Sequence, residues 1–408
     1  MSQPGPIIVL SEAGRPSFAK ALEEAALFPL VDATWLDASR AIDLVQPAAV
    51  VAAVSEAVEL RLQTLARQIA ARQPCLPLVA VDPDIALPQN VLPFGQAGGQ
   101  PDRLIRRLNA ALRVRALHAT VMRRLDAAGQ VELAGIDPVR EATVLLIGRG
   151  GPYPALSVAL GERMGLVGAL SIEAAAKHLN SRDIDGIVLG DGFTARVRDA
   201  FLTVLSEDPR FRNLPVILTS RELAPGYELP NLEIISGDAA RIATNALPLI
   251  RQHAFEARLA RTLRSIDAGG LLDPRCGLLT AEAFSRDFAT ALYQTAARGA
   301  ALSAARFAFD AEEERAEFDG ARIISRLMRQ MDFGAMQADG SVVVVFPETD
   351  LRDAHMIARR LSAVMRHTAH GRRGTRCEPA VTVATMMPND TAKSLLARLC
   401  DDAQRAVS

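Results

Sequence analysis

Two charged residues three apart, Arg329 and Asp332 in Arg329-Gln330-Met331-Asp332, stand just ahead of a turn signal, Asp339-Gly340. A guanidinium is a planar fork of donors. It meets phosphate oxygens, or the Hoogsteen edge of guanine, through two parallel hydrogen bonds. A carboxylate beside it accepts N–H groups from the same kind of base edge. Arg360, further along, adds a second guanidinium, and such a plane also stacks on a purine. The same spacing recurs at Arg123–Asp126, Arg182–Asp185 and Arg196–Asp199, and an ordinary surface ion pair explains each of those. Position beside the turn sets Arg329–Asp332 apart.

Other chemistry is scarce. Cys75, Cys276, Cys377 and Cys400 are scattered, with no pair at metal-ligand spacing, so they read as reduced thiols. The six histidines form no cluster. The chain has 408 residues, 49% hydrophobic and 23% charged, the composition of an ordinary globular protein of two to four domains. A net charge of -1 gives no overall pull toward nucleic acid or an anionic membrane. No apolar run reaches membrane-spanning length, and MSQPGPIIVLSEAG lacks a basic signal-peptide start, so a soluble cytoplasmic protein is expected.

The elements that must carry the charged pair follow from periodicity. Residues 321–332 predict a helix. Ile323, Ile324, Leu327, Met328 and Met331 form its apolar stripe, and Arg322, Arg326, Arg329 and Asp332 its polar side. Asp339-Gly340 predicts a type I′ hairpin turn before the strand Val342–Phe346. A second helix opens on Thr349 or Asp350 as cap, with Asp353 in its first turn.

Residues 6–118 alternate short apolar runs (PIIVL, PAAVVAAV, PLVAVD) with helical segments, and 141–255 repeat the pattern (ATVLLIG, GIVLGD, LPVILTS). That order argues parallel sheets with helices on both faces. The arginines of the long helix 102–126 read as a solvated face. The stretch AAGQVELAGIDPVRE reads as a linker.

Residues 321–365 resemble the GGDEF domain family, the diguanylate cyclases. In that family a helix ends in R-x-x-D, and five residues later a hairpin carries the signature. Here the signature slot holds Ala338, Asp339, Gly340, Ser341 and Val342, while VVVFPETDLRDAHMIARRL follows the family's continuation without a gap. The family's hairpin metal acid falls on Gly340, its opening D-x-L-T-G-L-x-N-R is altered from Asp273 onward, and its F-K-x-x-N-D run is missing between Asp310 and Asp319. Asp310 is the weak remaining candidate for a metal acid. Cyclisation of GTP needs carboxylates that hold Mg²⁺ against the phosphates and the attacking hydroxyl. The resemblance therefore implies a cyclase fold without cyclase catalysis. It also implies that Arg329, Asp332 and Arg360 form the family's inhibitory site, which binds cyclic di-GMP.

The two earlier segments resemble response-regulator receiver domains, with SEDPRFRNLPVILTS the strongest stretch. The phosphoacceptor slots hold Ala53 and Gly190. Asp191 comes one residue late, which in a strand turns the side chain to the other face, so it is only a candidate phosphoacceptor. The expected fold is thus α/β: two receiver-like (flavodoxin-like) doubly wound parallel sheets, at 5–126 and 140–262, then a GGDEF-like α/β domain with a mainly antiparallel sheet at 270–408. The arrangement resembles receiver–receiver–GGDEF regulators of the PleD and PopA type. That resemblance implies a catalytically inactive, dimeric signalling protein that takes cyclic di-GMP as ligand, needs no cofactor, and works through signalling or cell-cycle proteins, with a location at a cell pole. Two alternatives stand beside it. One is a cyclase with residual, Mg²⁺-dependent activity in a phosphorelay. The other is a scaffold that binds no nucleotide.

Overall fold

The first strand, Ile7–Ser11 (β1), is apolar on both sides. Ile7 and Val9 enter one core cluster, Ile8 and Leu10 another. A strand buried on both faces needs helices on both faces, and parallel pairing supplies them through its crossovers. The computed structural model describes residues 5–12, 14–95, 101–127, 137–219, 227–309, 314–370, 375–376 and 378–407. After β1 come Ser17–Glu24 (α1), Leu30–Thr34 (β2), Ala38–Val45 (α2), Ala49–Ala53 (β3), Glu59–Ala70 (α3), Leu78–Val81 (β4), Val91–Phe94 (β5) and Pro101–Ala127 (α4). The sheet order β2-β1-β3-β4-β5 is all parallel, the flavodoxin-like winding.

The second segment contains Thr143–Ile147 (β6), Pro152–Gly161 (α5), Gly165–Ala169 (β7), Ile172–Ser181 (α6), Gly186–Leu189 (β8), Ala195–Glu207 (α7), Val216–Leu218 (β9), Leu232–Ile234 (β10) and Ala239–Asp267 (α8). Strands β6, β8, β9 and β10 pair in that order, all parallel, repeating the run β1-β3-β4-β5.

The last segment contains Ala281–Arg298 (α9), Leu302–Ala308 (β11), Glu314–Leu327 (α10), Phe333–Met336 (β12), Val342–Pro347 (β13), Leu351–Met365 (α11), Thr368–His370 (β14), Thr375–Arg376 (β15), Ala380–Thr385 (β16) and Ala392–Val407 (α12). Its sheet, β12-β13-β11-β16, is antiparallel throughout. Alternation along β13 divides the core. Val342, Val344 and Phe346 pack with Ile324 of α10 and Leu361 of α11, while Val343 and Val345 pack with Phe288 of α9 and Leu395 of α12.

The chain forms two compact units. One holds Met1–Leu160, Ala169–Ile172 and Ile184–Leu259; the other holds Gly161–Gly168, Glu173–Asp183 and Ala260–Ser408. Within the second unit β7 pairs antiparallel with β14, Val167 opposite Thr368.

Three readings of the sequence are corrected. The arginines of α4 are a solvated face only in part: Arg113, Arg123 and Arg124 are exposed, but others are not. Arg107 is buried and donates to the carbonyls of Pro93 (2.5 Å) and Pro230 (2.7 Å), and Arg103 donates to that of Leu232 (2.9 Å). The predicted helix 321–332 ends at Leu327, so Arg329 and Asp332 do not share a helical face; Met331 is exposed and Arg322 is buried. The hairpin turn is not type I′, which would need positive φ at both central residues. Only Gly340 has it (+78°), and Gly340 N–H donates to the Gln337 carbonyl (3.1 Å) while Gln337 N–H donates to that of Ser341 (2.7 Å). This is a three-residue loop, a turn closed by a left-handed glycine.

Candidate ligand site beside the hairpin

Helix α10 runs amphipathically into the core through Ala321, Ile323 and Ile324, then stops, leaving residues 328–332 as the bend that leads into β12. Asp332 closes that bend. Its N–H donates to the Arg329 carbonyl (3.0 Å), and its Oδ2 accepts the Arg329 N–H (3.0 Å). Arg329 is exposed, and among the described residues its side chain makes no ion pair with Asp332; the contact between them runs through the Arg329 backbone N–H. The other carboxylate oxygen, Oδ1, is buried with no hydrogen-bond partner among the described residues. Burial pushes the Asp332 carboxyl up; the Arg329 N–H and the charges of Arg329 and Arg360 pull it back without cancelling the rise. Arg360, on α11, is exposed. The three residues singled out in the sequence therefore share one electrostatic neighbourhood.

Asp332 opens onto a cavity of about 560 Å³. Gln330, Met331 and Phe333 line one side, and Thr290, Gln294 and Arg298 of α9 the other. The α9 residues were invisible to local pattern, because an exposed helix face carries no sign of what it faces. Thr280 starts that helix, its Oγ1 accepting the Ala283 N–H (3.4 Å).

At the hairpin tip Asp339 is engaged. Its Oδ2 accepts from Arg306 Nη2 (2.8 Å), and its Oδ1 accepts from the N–H (3.0 Å) and hydroxyl (2.6 Å) of Ser341. Burial alone would raise the Asp339 carboxyl, but the bonds from Ser341 and Arg306 hold it below the usual range. Arg306 Nε also donates to Ser341 Oγ (3.1 Å). A Cβ added at Gly340 would lie 2.2 Å from a Glu317 carboxylate oxygen, so that carboxylate lies against the turn. Ala338 is exposed and Val342 is core. The signal for Arg306 in the sequence is its place as the one charged residue of the strand LSAARFA.

Among the described residues no group of three His, Cys, Asp or Glu side chains could hold a metal ion. Asp310 lies outside the described residues. In the parallel sheets Ala53 ends β3 and Gly190 follows β8, its N–H donating to the Ile147 carbonyl (2.7 Å). Asp191 is exposed, and its carbonyl accepts the Arg149 N–H (2.9 Å). Among the described residues, no helix is long and apolar enough to cross a membrane.

The chain matches no protein-family model and no curated protein. Among solved structures, it is similar over 33% of its length to the GGDEF domain of DgcB from Caulobacter crescentus in complex with c-di-GMP, at 14% identity, covering 89% of that chain with a TM-score of 0.31. A sensory box/GGDEF family protein from Caulobacter crescentus is 20% identical over 33% of this chain and 97% of its own, with a TM-score of 0.29. The FimX GGDEF domain from Pseudomonas aeruginosa is 17% identical over 33% of this chain and 94% of its own, also with a TM-score of 0.29.

Proposed function

We propose that this protein is a GGDEF-family signalling receptor that binds cyclic di-GMP at Arg329, Asp332 and Arg360 and makes none. The observation that carries the reading is the buried, unpartnered Oδ1 of Asp332 beside two exposed guanidinium groups. A buried acceptor without a donor is expensive, about 1–3 kcal/mol, and is retained where a ligand supplies the missing bond. Guanine N1–H and N2–H₂ are donors of the right kind, while the Arg329 fork takes a phosphate or the Hoogsteen edge. Arg360 provides charge and a stacking plane.

The inactive half of the reading rests on the hairpin tip. A cyclase must hold Mg²⁺ there, and these residues do not fit it. Gly340 offers no ligand, Asp339 is occupied by Arg306 and Ser341, and Glu317 lies where added atoms would collide. Output then passes through protein contacts, with the two parallel-sheet segments as receiver-like docking modules in a homodimer. Asp191 has no role in this reading.

Calorimetric titration with cyclic di-GMP tests it, run beside Arg329→Ala. Micromolar or tighter binding that is lost in the variant supports the receptor, and a ligand-to-protein ratio near two identifies a stacked ligand pair. Wild type that does not bind leaves a nucleotide-independent scaffold. Product formed from GTP with Mg²⁺ or Mn²⁺ removes the inactive reading.

A further inference from the structure

A second cavity, of about 410 Å³, lies inside the first unit, between α4 and α8. That volume falls in the range of small-molecule pockets, roughly 300–1,000 Å³. Ile69, Leu92, Val114 and Phe255 give it an apolar side. The charged groups that line it are guanidinium groups. Arg72, Arg251 and Arg258 face it, and no carboxylate does among the described residues. The acids that pair with these arginines, Asp43, Asp137 and Glu141, do not line the cavity. Arg251 uses only Nε, toward Asp137 (3.3 Å), so its two Nη groups have no acceptor among the described residues. Gln252 beside it likewise has no side-chain partner among the described residues. His118 accepts the Cys75 N–H at Nδ1 (3.0 Å), which places its own proton on Nε2. Its ring meets Phe255 edge-on, with centroids 5.1 Å apart.

We infer that this cavity binds a small aromatic carboxylate, its ring against the apolar side and its carboxylate on the Arg251 fork. The planar pair of unmatched Nη donors fits two carboxylate oxygens, and the absence of lining acids removes the repulsion an anion would otherwise meet. A ligand here touches both parallel-sheet segments at once, so binding would bias how they hold together. The inference is independent of the cyclic di-GMP reading.

The full-length protein is titrated with anilinonaphthalene sulfonate, a fluorescent aromatic anion, and the probe is then displaced with indoleacetate or its neutral analogue indoleacetamide. Saturable one-to-one binding is expected, with the acid displacing the probe about tenfold better than the amide, equal to about 1.4 kcal/mol. Arg251→Gln should erase the preference for the acid. Its only ion pair among the described residues is with half-exposed Asp137, so the fold should survive. Gln252→Trp, which fills the space, should abolish saturable binding, and Arg329→Ala should change nothing. Absence of saturable binding, equal displacement by acid and amide, or a preference that survives Arg251→Gln overturns the proposal.

Discussion

Arg107 on α4 and Glu233 on β10 form a 2.7 Å ion pair with both side chains buried. Burial pushes the Glu233 carboxyl up, against the pull of Arg107 and Arg103, and the Gly95 N–H binds its second oxygen (3.0 Å). Removing one partner strands the other charge in the interior, at about 3–5 kcal/mol. Glu233→Ala should therefore lower urea-unfolding stability by about that amount. The double replacement Arg107→Met with Glu233→Leu should lose much less, since no charge is left behind. Equal losses in the two variants would show that packing, and not the stranded charge, sets the cost.

On the proposed reading, Asp332 trades stability for binding. Its carboxyl is raised, so the folded chain holds a proton more tightly than the unfolded chain does. Stability from this group is highest in acid and falls as pH rises from the ordinary carboxylate value through the raised one. At neutral pH the ionised group is a net cost. Asp332→Asn should raise the melting temperature at neutral pH, because the amide oxygen can still accept the Arg329 N–H. The same change should weaken cyclic di-GMP by about tenfold or more, the worth of a charge-assisted hydrogen bond. An unchanged affinity would remove Asp332 from the site.

Most of the fold was legible because its strands are continuous apolar runs. Ile7–Ser11, Ala49–Ala53 and Leu78–Val81 sit where PIIVL, PAAVVAAV and PLVAVD predicted them. The strands that escaped are short or half-exposed. Leu30–Thr34 is an edge strand in which no residue is fully buried, and Val91–Phe94 contains a proline. Local pattern also found Arg329, Asp332 and Arg360. It could not show that Asp332 turns one oxygen onto a backbone N–H and buries the other unpaired. Nor could it bring Arg306 to Asp339, since that contact depends on the register of β11 against β13, where Arg306 lies opposite Val343.

Placing an acid at Gly340 should not create a cyclase. Gly340 has φ +78°, a region that costs other residues roughly 1–2 kcal/mol. An aspartate there would also bring a second carboxylate against that of Glu317. Gly340→Asp should lower the melting temperature and form no product from GTP with Mg²⁺. Partial recovery of the melting temperature in Gly340→Asp with Glu317→Ala would assign part of the loss to charge. Product formation by the single variant would refute this account of the hairpin.

The second unit carries its own acid sensitivity in His178, whose ring lies 5.1 Å from that of His367. Burial, then the charge of Arg182, then His367, hold His178 down at about 4, against 6.5 for a free histidine. Between those values the unfolded chain binds a proton that the folded chain refuses. Stability should therefore fall as pH drops from about 6.5, with the loss complete near 4. The local consequence follows from the neighbours. Arg182 donates to Thr368 Oγ1 at the start of β14 and to the Val364 carbonyl in the last turn of α11. A proton forced onto His178 repels that guanidinium and loosens the β7–β14 pairing. His178→Leu keeps an apolar side chain in place and removes the titration, so its melting temperature should decline less steeply than the wild type's across this window. Amide exchange along β14 should quicken with acid in the wild type and not in the variant. Parallel declines for the two proteins would assign the acid sensitivity to other groups.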